Sequence, residues 1–175
     1  MAKKFDKVRL LFGLFLLPVV AIGSIIAHVI DIPSWPAFLV MIFFFMAQRD
    51  KKQIPNIMVG TAFGILMIYP MGILIKIFEG TFSTFTVGLV YILVFITAII
   101  VFGEMVPIIL NNYAFLAMLV TIVEMGKAVR VHPLKLLAME VIGGALFIGA
   151  ILGIVKILTI LFTRKMAKAK AKQNA

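Results

Sequence analysis

"PAFLVMI", residues 36–42, returns as "YAFLAML", residues 113–119, with Ala, Phe, Leu and Met in the same order at the same spacing. Ala37, Phe38, Leu39 and Met41 map onto Ala114, Phe115, Leu116 and Met118 at a constant shift, 114 − 37 = 77. Each copy opens an apolar stretch. Each stretch then runs into a basic loop with one proline, followed by a segment rich in small residues. Self-similarity at a fixed period points to duplication, so the fold turns on what the duplicated stretches are.

They read as membrane segments. Of the 175 residues 63% are hydrophobic and 14% charged, where a soluble domain carries roughly a quarter charged residues. Solidly apolar runs near the ~20 residues needed to cross a ~30 Å hydrocarbon core recur along the chain. They do not alternate as barrel strands do, so the expectation is an all-α, polytopic membrane protein. Six spans are expected, at 10–30, 34–47, 57–78, 85–105, 108–123 and 136–162. Short loops separate them and leave no room for a soluble domain, so residues 1–175 form one membrane unit. The basic, apolar start imitates a secretory signal with a small-residue point at Ala21–Gly23, but its apolar run continues to Ile30, which favours an uncleaved first span.

Lys and Arg favour the cytoplasmic side. A cytoplasmic N-terminus places Lys3, Lys4, Lys7 and Arg9, then Arg49, Lys51 and Lys52, then the 164–175 tail on that side, so both termini face the cytoplasm. The loop with Lys127, Arg130 and Lys135 faces outward against the rule. A duplicated loop would inherit such charges while landing on the opposite side. The copies of the quoted stretch open the second and fifth spans, so the chain divides into pseudo-repeats at about 9–80 and 85–163. Three crossings per half invert the second half, giving the 3+3 inverted-topology repeat found in many transporters, whose solute site lies near the midplane between the halves. The second span, at 14 residues, reaches only about 21 Å as a helix. Local bilayer thinning with Trp35 at the interface and a discontinuous helix are both readings of it.

Gly60 and Gly64 in the third span, and Ala145, Gly149 and Gly153 in the sixth, form faces on which helices can approach closely. The third and sixth spans are expected to pack on each other through them, and the same faces could serve a homo-oligomer. Pro18 and Pro70 should kink their helices. Asn56 reads as a cap of the third span. Candidate pathway residues are Phe38 and Phe115 as a constriction, Asn111 and Asn112 as polar contacts or helix caps, and Glu140 as an entrance charge. Glu140 either faces a cavity or pairs with Lys127, Arg130 or Lys135. The basic tail reads as a clasp for anionic lipid rather than a nucleic-acid site. With no cysteine, disulfides and thiolate chemistry are excluded. No nucleophile–base pair, metal-ligand cluster or phosphate loop appears, so no enzyme, cofactor or metal is expected.

"DIPSWPAFLVMIFFFMA" (31–47) and "MVPIILNNYAFLAML" (105–119) resemble the bacterial membrane-protein family known as domain of unknown function 1097. The likeness rests on a Trp followed by a small residue and Phe at an early span, and a late Pro followed by a polar-aromatic stretch. After Pro107 this chain has IILNNYAF instead of a Gly-rich segment. The resemblance implies a compact protein of the bacterial inner membrane and carries no activity. The expected function is a small-solute channel or transporter; the alternative is a non-transport scaffold or accessory subunit.

Inversion has a direct test. Cysteines placed at Trp35 and at Asn112 should be labelled by a membrane-impermeant thiol reagent from opposite sides of the membrane. Labelling from one side removes the inverted repeat.

Overall fold

The computed structural model describes residues 7–125 and 132–173, and the described residues are helical with no strand among them. α1 spans Lys7–Val29, α2 Trp35–Met46, α3 Ile54–Leu66, α4 Ile68–Ile77, α5 Thr84–Phe102, α6 Asn112–Met125, α7 Pro133–Ala138 and α8 Gly144–Gln173. A 3₁₀ turn at Lys51–Gln53 leads into α3, and a π-helical turn, Met139–Gly143, joins α7 to α8. Lys3, Lys4, Lys127 and Arg130 lie outside the described residues.

Four helical stretches are long and apolar enough to cross a membrane: Leu10–Val29, Lys51–Ile77, Thr84–Phe102 and Pro133–Leu161. The expected second and fifth spans are short helices, Trp35–Met46 and Asn112–Glu124. The fifth begins at Asn112 instead of residue 108, because the chain turns repeatedly between Gly103 and Asn111. Leu14, Leu17, Ile25, Phe85, Val94 and Ile100 are among many large apolar side chains turned outward. Such a periphery is compatible with lipid as its solvent.

The long Lys51–Ile77 stretch is broken at Met67. Pro70 supplies the cause: it has no N–H, and its ring clashes with the carbonyl four residues back, at Leu66, where α3 stops. The Met67 carbonyl at the break accepts the Tyr91 hydroxyl of α5 at 2.8 Å. Pro18, by contrast, lies inside an unbroken α1. Asn56 is not the cap of α3; it sits inside the helix, and its side-chain amide donates to Gln53 at 3.2 Å.

α3 packs principally on α6, while α2 packs on the π turn and α8. α1 lies along α8, and α4 lies along α5. One buried cluster joins Val40, Phe43 and Phe44 of α2 to Ile57 of α3 and to Ile148 and Ile151 of α8. A second joins Phe95 of α5 to Ala114 and Met118 of α6.

The small residues account for these crossings, with partners that differ from the expected ones. Gly60 and Gly64 face α6, not the sixth span: a Cβ on Gly64 would run into the Ala114 carbonyl, and one on Gly60 into the Asn111 side chain. The third span meets the sixth mainly through α7 and the π turn, and through Ile57 in the buried cluster with Ile148 and Ile151, not through the glycine faces. The sixth uses Gly143 and Gly144 for close approach, where an added Cβ would lie 2.8 Å from the Ala37 Cβ and 2.9 Å from Val40. Ala145 and Gly149 are exposed, and nothing lies within 4 Å of a Cβ on Gly149 or Gly153.

Gly64→Ala should therefore destabilise the protein by about 1–3 kcal/mol through overpacking, whereas Gly149→Ala should leave the midpoint unchanged or raise it. Thermal unfolding in detergent, followed by circular dichroism, separates the two.

Candidate functional site

Helices buried in an apolar medium must satisfy their polar side chains internally, and most here do so. Thr97, Thr121, Thr159 and Thr163 each donate to the carbonyl four residues back, at 2.9, 2.7, 2.8 and 2.9 Å. Ser24 does the same at 2.9 Å. Thr61 does not. It is 0% exposed, and its hydroxyl has no hydrogen-bond partner.

Glu140 is the second exception. It is likewise 0% exposed, and neither carboxylate oxygen has a partner. Of the expected partners in the nearby basic loop, Lys135 is exposed and does not pair with Glu140, while Lys127 and Arg130 lie outside the described residues. Glu140 sits on the π turn, a wider local helix geometry frequent at functional sites. From Pro133 to Glu140 is 140 − 133 = 7 residues, so the carboxyl lies about 10 Å along the membrane-length stretch.

The third exception is Trp35, whose indole Nε1 is buried without a partner at the start of α2. These three groups belong to α2, α3 and the π turn, and each of those elements packs against the other two. Register draws the groups closer. Gly143 meets Ala37 and Gly144 meets Val40, so the two segments run in the same direction. Glu140, three residues before Gly143, then falls at the same end of the crossing as Trp35, two residues before Ala37. Thr61 lies one turn beyond Ile57, on the face of α3 that Ile57 packs against α2 and α8. Leaving such groups unpaired costs about 1–3 kcal/mol for a neutral one and more for a charge.

The other expected pathway residues are distributed differently. Asn111 is a cap whose polar atoms are all engaged: its carbonyl oxygen accepts from the Ala114 N–H at 3.0 Å, and its amide donates to the carbonyls of Asn56 at 3.1 Å, Pro107 at 2.8 Å and Ile108 at 3.3 Å. Asn112 is exposed. Phe38 stacks on Phe147 of α8 with ring centroids 5.3 Å apart, and Phe115 packs around Phe95. The two phenylalanines thus have different partners, Phe147 for one and the Phe95 cluster for the other, and are not brought together as a constriction. Of the expected pathway residues, Glu140 alone joins Thr61 and Trp35 as a buried group without a partner. Sequence reasoning passed over Thr61, although its place between Gly60 and Gly64 in an apolar span was a signal; Trp35 was read only as an interfacial anchor.

Two apolar grooves open on the periphery. One, of ≈ 420 Å³, lies between α1 and the α7–α8 stretch and is lined by residues such as Ile26, Ile142 and Phe147. The other, of ≈ 370 Å³, lies between α4 and α5 beside Phe78, Phe82 and Tyr91. Neither is lined by Asn111, Asn112 or Glu140. No family model, curated protein or solved structure matches the chain.

The two asparagines should separate on mutation. Asn111→Ala should cost about 1–2 kcal/mol through loss of the cap, while Asn112→Ala should fall within about 0.5 kcal/mol of the parent. Unfolding midpoints in detergent check both.

Proposed function

We propose that this chain is a small-solute transporter of the bacterial inner membrane, crossing it six times with both termini in the cytoplasm. The carrying observation is the pair of fully buried, unpartnered groups on two segments that pack together, Thr61 on α3 and Glu140 on the π turn. Ionisable residues at membrane depth are expensive and serve solute or ion pathways by default. Zero exposure of both groups supports an occluded carrier more than an open channel.

The packing supports an inverted repeat as the scaffold. With residues 9–80 and 85–163 as the halves, the second helix of each half packs on the third segment of the other, α2 on the π turn and α8, and α6 on α3. The first helix of each half does likewise, α1 on α8 and α5 on α4. Trp35 and Asn112, the first residues of α2 and α6, differ by 112 − 35 = 77. Past the basic loops the register lengthens to 140 − 61 = 79 for Thr61 and Glu140, and to 143 − 64 = 79 for Gly64 and Gly143. The π turn accounts for one inserted residue. In this register Gly64 against Ala114 matches Gly143 against Ala37. The two unpartnered groups then stand in equivalent places, and a solute between them would sit at the junction of the halves. The membership suggested by the resemblance to the family of unknown function belongs to this proposal and adds no activity. Anionic lipid at the basic tail belongs to it as well.

One observation favours a second reading, a membrane scaffold or accessory subunit. Ala145, Gly149 and Gly153 present a small-residue face with open space before the glycines, a surface suited to a helix of another subunit.

Proteoliposomes tested with a panel of small neutral and cationic solutes decide between them. Flux above protein-free vesicles, reduced at least about tenfold by Glu140→Gln, is the expected outcome. No flux of any solute, with a Gly149→Ile change that abolishes a cross-linked oligomer, selects the scaffold.

A further inference from the structure

The electrostatics around Glu140 indicate what the site takes. The elements packed against the π turn are α2, α3, α7 and α8. α2 and α3 contain no ionisable residue. α7 contributes Lys135, and α8 contributes Lys156 ahead of its basic end; both lysines are exposed. Lys156 is also 156 − 140 = 16 residues from Glu140, roughly 24 Å along the helix. Among the described residues, no charged group on these elements balances the carboxylate.

Once ionised, a buried carboxylate requires a positive partner, and an unpaired one is strongly destabilising. Among the described residues no group of three or more His, Cys, Asp or Glu gathers to hold a metal ion. One carboxylate matches one positive charge, and divalent cations take several oxygen ligands with more than one carboxylate in most protein sites. Thr61 brings a second oxygen, left free where Thr97, Thr121, Thr159 and Thr163 spend theirs on the helix backbone. The carboxylate has two oxygens, so one can meet a cation while the other accepts the Trp35 N–H, which is also without a partner.

We propose that the crossing of α2, α3 and the π turn is a binding site for a small monovalent cation, with Glu140 as its counter-charge, the Thr61 hydroxyl as a second oxygen ligand and Trp35 at its edge. The inference deepens the transport reading and rests on it for physiological meaning, though binding can be measured without transport. Both oxygen-bearing side chains are 0% exposed, so the cation enters and leaves only as the surrounding helices part. Ammonium and an alkali ion such as sodium share the chemistry of the site. Ammonium donates hydrogen bonds to the two oxygen-bearing groups, and sodium coordinates the same atoms.

Trp35 is the only tryptophan in the chain, so its emission reports on this crossing. The full-length protein in detergent or nanodiscs is titrated with ammonium, methylammonium or sodium chloride, with choline chloride holding ionic strength constant. A saturable change in Trp35 emission with at least one of the three is expected. It should be absent in Glu140→Gln and shifted at least about tenfold to higher concentration in Thr61→Val, the loss of a hydrogen bond to a charge. Saturation by ammonium and methylammonium alone identifies a protonated amine, and by sodium alone an alkali ion. Circular dichroism and a monodisperse elution profile establish that each variant is folded; if Glu140→Gln fails this, Thr61→Val carries the comparison. No saturable change in the folded parent, or an equal change in the variants, overturns the site. Proteoliposomes that move urea or glycerol while no cation binds would leave transport standing and remove the cation site. Saturable binding without flux of any solute would do the reverse.

Discussion

Close approach of backbones at glycine is the constraint from which the rest of this structure follows. α2 has 12 residues and α6 has 14, so they reach about 18 and 21 Å and underspan a hydrocarbon core of ~30 Å. Helices that short need tight tertiary support. Gly64 admits the Ala114 backbone on one side of the molecule, and Gly143 and Gly144 admit Ala37 and Val40 on the other. Without side chains at those places, α3 and α8 can press against the short helices closely enough for dispersion and buried surface to hold them.

That tight packing raises the cost of any polar group left inside it. Asn111 illustrates the usual solution: it caps α6, ties α6 to the Asn56 carbonyl, and fills the space that Gly60 leaves open. Tyr91 plays a comparable part at the break beside Pro70, where its hydroxyl meets the Met67 carbonyl. Against this background of satisfied groups, Thr61, Glu140 and Trp35 stand apart. They occupy three mutually packed elements, one of which is the π turn. Stability alone does not account for the arrangement, since apolar residues of similar size would pack there without loss. Function is the natural reason to retain them.

The spans were legible because hydrophobicity is a local property. Composition and run length located the four membrane-length stretches and the two short helices, and Pro70 announced the break in the third stretch. Glu140 was legible for a similar reason, as a charge where the neighbours are apolar. Thr61 was harder to see, because threonine in a helix ordinarily bonds the carbonyl four residues back, and its failure to do so cannot be read from letters. The paired asparagines show the same limit. Adjacent and identical in type, one is spent on backbone groups and the other is exposed, since successive residues of a helix point in different directions.

The amino-acid order alone determined that this chain is helical and apolar along its length, where its breaks fall, and which of its residues are small enough for close crossings. Those are properties of segments, set by side-chain chemistry and backbone sterics within a few residues. Only the tertiary structure decided that Gly60 and Gly64 meet α6 instead of the sixth span, that Gly149 and Gly153 are left open, and that Glu140 is buried without a partner, as Thr61 is on a neighbouring element, instead of pairing with Lys135. Small faces are mutually interchangeable in an apolar medium, and which two of them meet depends on the packing of all the helices at once.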